Sequence, residues 1–216
     1  MLWIRIVNAF TKITGFLPQL FCFRTKIYYE DKKAQGRRIK GPAIIISNHT
    51  SVYDYAVILF VFFWRTLRYQ MAELLFRKRL LRNFLKSMGG IFVDRDAHNF
   101  SFVGKSEEIL KRGGVVGIFP ESRLPREGEP RPLEFKPSAA YLALSSGVPI
   151  IPVYTNGSYF KRARARVIIG KPVYAADLAS PDKTDKENVA AVTKALRDRI
   201  ILLRETLDGR TKEKKG

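Results

Sequence analysis

Short β-rich runs alternate with helical stretches along nearly the whole chain, and that alternation restricts it to an α/β domain. Strands are expected at Lys26–Glu30, Ala43–Ser47, Arg68–Ala72, Ile91–Val93, Val115–Phe119, Ile150–Tyr154 and Arg166–Ile169. Helices are expected at Leu2–Gly15, Val52–Trp64, Leu75–Ser87, Phe100–Arg112, Pro137–Ser146 and Lys186–Leu207. Gly113-Gly114 ends one helix and turns into a strand, and Gly147 ends another just before Val148-Pro149. Pro137 stands where a helix begins without losing a hydrogen bond. There is no internal repeat and no linker, so the 216 residues read as one domain with a sizeable core. The expected organisation is a helical segment over 1–25, the main domain over 26–209 and a fraying basic tail over 210–216.

The formal charge of +19 is the outlier in composition. Such a surface attracts anions: nucleic acid, acidic lipid headgroups or an acidic carrier protein. The hydrophobic fraction of 46% excludes a disordered chain. A single cysteine, Cys22, excludes an internal disulfide and a multi-cysteine zinc site.

The N-terminus is apolar and aromatic, from Met1 through Phe10 and again from Phe16 through Phe23. Arg5, Lys12, Arg24 and Lys26 punctuate it. No small-residue cleavage site follows, so it does not read as a signal peptide. No run reaches the roughly 18 apolar residues of a membrane span. Two readings stand. One is a helix pair in the membrane interface, with aromatics dipped in and basic groups at the headgroups. The other is an ordinary first helix packed on the core.

Four motifs carry chemistry. The first is Asn48-His49-Thr50-Ser51-Val52-Tyr53-Asp54, between the Ala43–Ser47 strand and the next helix. In a continuous helix His49 and Asp54 would sit about 140° apart, so only the turn brings them together. Thr50 or Ser51 can cap the helix, whose N-terminus favours the Asp54 carboxylate. Asp54 can then hold one imidazole nitrogen and leave the other as a general base for a hydroxyl. A capped polar turn with a structural histidine explains the same spacing. The second motif, Gly89 to Asp96, ends a short strand in Arg95, which either binds phosphate or pairs with Asp94 or Asp96. The third, Val115 to Arg123, delivers Pro120, Glu121, Ser122 and Arg123 to a strand end, where α/β folds place ligands. Solvated charges at a turn are the alternative. The fourth, Gly147 to Val153, is a strand with prolines near its start, suited to an edge or a rigid wall. Arg123–Pro132 reads as a loop, and His98 as a surface residue.

Together, and in this order, the four resemble the blocks of the glycerolipid acyltransferases typified by lysophosphatidic acid acyltransferase. Asn48 to Asp54 resembles the family's Asn-His-x-x-x-x-Asp block, and Gly90 to Arg95 its second block. Phe119-Pro120-Glu121-Ser122-Arg123 matches Phe-Pro-Glu-Gly-Thr-Arg in part, and Val148 to Val153, including Pro149, resembles the fourth block. Met71-Ala72-Glu73-Leu74 and Phe135-Lys136-Pro137 are similar to landmarks between them. Ser122 stands where the family usually has Gly, and Arg123 where it has Thr. The block's arginine is therefore Arg123 with a one-residue shift, Arg126, or neither.

The resemblance implies a mixed sheet flanked by helices, with an N-terminal interfacial helical motif. It implies acyl transfer from a thioester of coenzyme A or acyl carrier protein to a lysophospholipid hydroxyl, most directly on lysophosphatidic acid. His49 would be the base, Asp54 its orienter, and Arg95, Glu121, Ser122 and Arg123 the headgroup contacts. Asn48, Gly90, Pro120 and Pro149 would shape the site. No cofactor or metal is expected. The expected location is a membrane surface on the cytoplasmic side, without a full span. The altered third block leaves room for a lyso-aminolipid acceptor, such as a lyso-ornithine or glycine lipid. Thioester hydrolysis, with water as the acceptor, is a further option. There is no serine elbow. A non-catalytic basic module for membrane or nucleic acid is the reading of another class, though no nucleic-acid signature supports it. The run Lys161-Arg162-Ala163-Arg164-Ala165-Arg166 is either a lipid- or carrier-facing strand face or a solvated basic edge.

Overall fold

The computed structural model describes residues 2–93, 101–160 and 164–212. Among the described residues, seven strands form one sheet: β1 (Lys26–Tyr29), β2 (Ala43–Ser47), β3 (Leu67–Ala72), β4 (Ile91–Val93), β5 (Val115–Ile118), β6 (Ile150–Thr155) and β7 (Arg166–Ile169). Their spatial order is β1-β7-β6-β2-β5-β3-β4. The neighbours β6, β2, β5, β3 and β4 run parallel. β7 pairs antiparallel with β6, and β1 parallel with β7. The sheet is therefore mixed, and each expected strand exists.

Both faces of the sheet are covered, which explains the unbroken apolar reading of β2. Ala43 and Ile45 point to one face, against Val57, Ile58 and Val61 of α3 (Asp54–Val61). Ile44 and Ile46 point to the other. There they meet α5 (Ser101–Lys111), α6 (Ser138–Ser146) and α7 (Asp185–Lys212). The core-facing residues of α7 are Val192, Leu196, Ile200, Leu203 and Leu207, a helical stripe. Thr184 and Glu187 form a reciprocal capping box at its start. The helix continues through Lys212, into the segment expected as a tail, because Arg210 donates from Nη1 to the Tyr29 carbonyl at 2.6 Å.

Other differences have local causes. The helix expected at Leu75–Ser87 divides into a 3₁₀ turn, Glu73–Phe76, and α4 (Arg79–Ser87), with Lys78 extended between them. The β6 strand is not at an edge. Its Pro152 lies in the sheet interior, where the register against the returning chain shifts by one residue between the Ile150–Val173 bridge and the Val153–Ile169 pair. That offset accommodates the missing proline N–H. Arg95, His98 and Lys161-Arg162-Ala163 lie outside the described residues.

The N-terminal segment forms α1 (Leu2–Thr14) and α2 (Phe16–Cys22). Its polarity is inverted. Asn8, Lys12 and Gln19 are buried, while Trp3 is 66% and Phe10 67% exposed. Asn8 Nδ2 donates to the Met88 carbonyl at 3.0 Å. Lys12, expected among headgroups, points inward instead. Its ammonium donates to the carbonyls of Phe63 at 2.9 Å and Arg65 at 2.6 Å. These carbonyls follow the C-terminus of α3, where a helix favours a cation. Among the described residues, no helix is long and apolar enough to cross a membrane.

Burial lowers the Lys12 ammonium to about 8. Between that value and the ordinary lysine range the unfolded chain binds more protons, so stability rises with pH through this window and levels off below about 8, where both states carry the proton. Lys12→Met removes this dependence. The stability of the wild type relative to Lys12→Met should rise by about 1 kcal/mol per pH unit from pH 8 to 10, measured by denaturant titration.

Candidate active site

The parallel strands bring their C-terminal ends to one edge of the sheet, and the first motif follows β2 there. Asn48 stitches β2 to β6. Its Nδ2 donates to the Thr155 carbonyl at 2.9 Å, and its Oδ1 accepts the Thr155 amide at 2.8 Å. The chain then turns through His49 before α3 begins at Asp54.

Asp54 is fully buried and receives five hydrogen bonds from the described residues. Its Oδ2 accepts from His49 Nδ1 at 2.9 Å, the Thr50 amide at 2.6 Å and the Ser51 amide at 2.9 Å. Its Oδ1 accepts from the Thr50 hydroxyl at 2.9 Å and the Tyr159 phenol at 2.6 Å. Five donors suit an ionised carboxylate, which only accepts. The expected side-chain cap by Thr50 or Ser51 is reversed: the Asp54 side chain reaches back to their amides. Since the carboxylate supplies no proton, Nδ1 carries one, and in the neutral ring Nε2 is the acceptor. Among the described residues no hydrogen bond engages Nε2, and the His49 side chain is 19% exposed.

The imidazole is also held from its face and its backbone. Its ring stacks on Phe119, with centroids 4.2 Å apart and planes 12° from parallel. Phe119 in turn packs on Tyr69 at 5.0 Å. Gly117 makes room for that column, since a Cβ there would lie 2.2 Å from the Tyr69 ring. The His49 amide donates to Glu121 Oε1 at 2.8 Å, and the Leu133 amide to Glu121 Oε2 at 2.8 Å. Burial raises the Glu121 carboxyl, opposed by these two amides.

The other expected site residues divide by position. Glu121 is buried and holds the His49 backbone, with both oxygens taken by main-chain amides. Pro120 is buried, and its carbonyl accepts the Lys136 amide at 2.8 Å. Ser122 has φ 63°, a conformation glycine adopts freely, which explains why glycine suits this position. Arg123 is exposed and grips Glu129 with two bonds, at 2.7 and 2.8 Å. Gly90 and Pro149 are not brought to His49. They precede β4 and β6, at the opposite edge of the sheet. Gly90 is a close-packing position, where a Cβ would lie 2.9 Å from Met71 Sδ.

Sequence reasoning missed Tyr159 and Thr155. The hydroxyl of Thr155 lies 2.8 Å from the Tyr159 phenol, so donation runs from Thr155 to Tyr159 to Asp54. The one local signal was Gly157. It has φ 65°, and a Cβ there would lie 2.5 Å from the Thr50 hydroxyl that bonds Asp54.

A buried carboxylate thus orients a histidine at the carboxyl edge of the sheet, an arrangement able to accept a proton from a hydroxyl. The acyltransferase family profile matches residues 24–156. The 1-acyl-sn-glycerol-3-phosphate acyltransferase of Bacillus subtilis is 33% identical over 147 residues, covering 66% of this chain and 71% of its own. The enzyme of the same name from Borreliella burgdorferi is 28% identical over 179 residues, covering 78% and 68%. The crystal structure of the 1-acyl-sn-glycerophosphate (LPA) acyltransferase PlsC from Thermotoga maritima shares the fold. Its TM-score is 0.64 at 20% identity, with 93% of this chain and 79% of that one covered. The chain belongs to the acyltransferase family of the lysophosphatidic acid acyltransferases and is an acyltransferase.

Gly157→Ala forces both the backbone and Thr50, whereas Gly128, with φ 81° and no atom near its Cβ position, tests backbone strain alone. Thermal or denaturant unfolding should show Gly157→Ala costing at least about 1 kcal/mol more than Gly128→Ala.

Proposed function

We propose that the chain transfers a fatty acyl group from a thioester to the free hydroxyl of lysophosphatidic acid. The observation that carries this is the His49–Asp54 pair, with Nδ1 bonded and Nε2 open. His49 Nε2 takes the proton of the acceptor hydroxyl, and Asp54 stabilises the imidazolium. The alkoxide attacks the thioester carbonyl, the carbon–sulfur bond breaks, and the thiolate recovers the proton from His49. The donor is acyl coenzyme A or an acyl carrier protein. The names of the relatives support the acceptor.

The surroundings suit a lipid. A groove of about 550 Å³ is lined by Arg77, Arg82, Lys86 and Lys105, with Phe76 and Phe92 as its apolar part. Glu73, which follows β3, also lines it, at the same edge as His49 and two strands along, or roughly 10 Å at ordinary strand spacing. Here the anionic headgroup is held, and Arg95, two residues past β4 in sequence, belongs to the same assignment.

The outward apolar faces of α1 and α2 then dock on the bilayer that contains the acceptor. Leu80 and Phe84 of α4 are exposed too, beside Arg79 and Lys86. Each near-surface cation adds about 1 kcal/mol at an anionic leaflet. The grip of Arg123 on Glu129 favours a second acceptor class, a lyso-aminolipid, which needs no phosphate contact from Arg123.

His49→Ala should lower acyl transfer by about 10²- to 10⁴-fold while circular dichroism is unchanged. Retained transfer would contradict the mechanism. Lysophosphatidic acid and lyso-ornithine lipid, offered side by side with labelled acyl thioester, decide the acceptor.

A further inference from the structure

Tyr159 is buried beside the reacting pair, yet the acid–base step does not consume its phenol. Its Oη donates to Asp54 Oδ1 at 2.6 Å and accepts from Thr155 Oγ1 at 2.8 Å. Burial and the Asp54 charge hold the phenol far above the usual tyrosine range, so it remains a permanent donor.

The ring of Tyr159 is held by the end of α2. Phe23, which closes that helix, packs edge-on against Tyr159 at 5.4 Å and against Phe160 at 5.3 Å. Two main-chain bonds join the same places: the Phe160 amide to the Cys22 carbonyl and the Ala165 amide to the Phe23 carbonyl, each at 3.1 Å. Phe23 and Phe160 also contact Tyr53, the residue before Asp54. The outward-facing helix and the catalytic carboxylate thus share one buried intermediary.

The geometry assigns Tyr159 as a positioning residue: it fixes the Oδ1 side of Asp54 and carries the placement of α2 to the His49 imidazole. This rests on the reading of His49 as the general base. Without the phenol, Oδ1 keeps only the Thr50 hydroxyl among its described partners. The carboxylate gains freedom to rotate, and the His49 ring with it. Such a loss acts on kcat, because Tyr159 is buried against Asp54 and bonds the oxygen that His49 does not.

The test uses the full chain with detergent-dispersed lysophosphatidic acid. Tyr159→Phe should lower kcat about tenfold with KM within about twofold. Phe23→Ala should lower kcat in the wild-type background and add nothing further in the Tyr159→Phe background. A Tyr159→Phe kcat equal to wild type overturns the assignment. So does a Phe23→Ala loss of the same size in both backgrounds. Should Tyr159→Phe fail to fold, Thr155→Val removes the donor behind the phenol at similar volume. It should lower kcat about threefold, and an unchanged kcat counts against the assignment. Activity in His49→Ala would instead remove the underlying mechanism. An inactive His49→Ala beside a fully active Tyr159→Phe would remove this inference alone.

Discussion

A buried carboxylate is the constraint on which the site depends. Removing an unpaired charge from water costs several kcal/mol, so the fold must supply donors wherever Asp54 sits. It supplies five, from the turn after β2 and from the chain after β6. β2 and β6 are neighbours in the sheet, and Asn48 locks their ends together. The strand order, the turn and the acid–base pair are therefore one arrangement. The helix that starts at Asp54 ends at carbonyls met by the Lys12 ammonium, so α3 carries an anion at its start and a cation beyond its end.

Much of this was legible in the sequence because it is local. The strands announce themselves as apolar runs bounded by Gly, Pro and polar residues. His49 and Asp54 are five residues apart, and a turn is enough to join them. The unread parts depend on distant residues. Tyr159 meets Asp54 across 105 positions, and Glu121 meets the His49 amide across 72. Nothing near Glu121 tells a ligand contact from a buried brace. Lys12 reads as a headgroup cation until α1 is docked. Pro152 reads as part of an edge or a rigid wall until the register shift beside it is seen. Ser122 reads as a departure in chemistry, but its left-handed backbone makes it first a departure in conformation.

The inverted polarity of α1 and α2 links fold to function. A helix that buries Asn8 and Lys12 and exposes Trp3 and Phe10 is oriented for an apolar exterior. In the proposed reaction that exterior is the bilayer holding the acceptor. The same segment ends at Phe23, against the ring that bonds the Asp54 carboxylate. In that proposal, surface attachment and active-site geometry fall in the same structural unit.

The most direct test of the central claim reads the proton on His49. The chain has two histidines, so a His98→Gln background leaves a single imidazole for ¹⁵N nuclear magnetic resonance. The account predicts a neutral ring with its proton on Nδ1 and an unprotonated Nε2, and a loss of that preference in Asp54→Asn. A ring protonated mainly on Nε2 in the presence of Asp54 would contradict it.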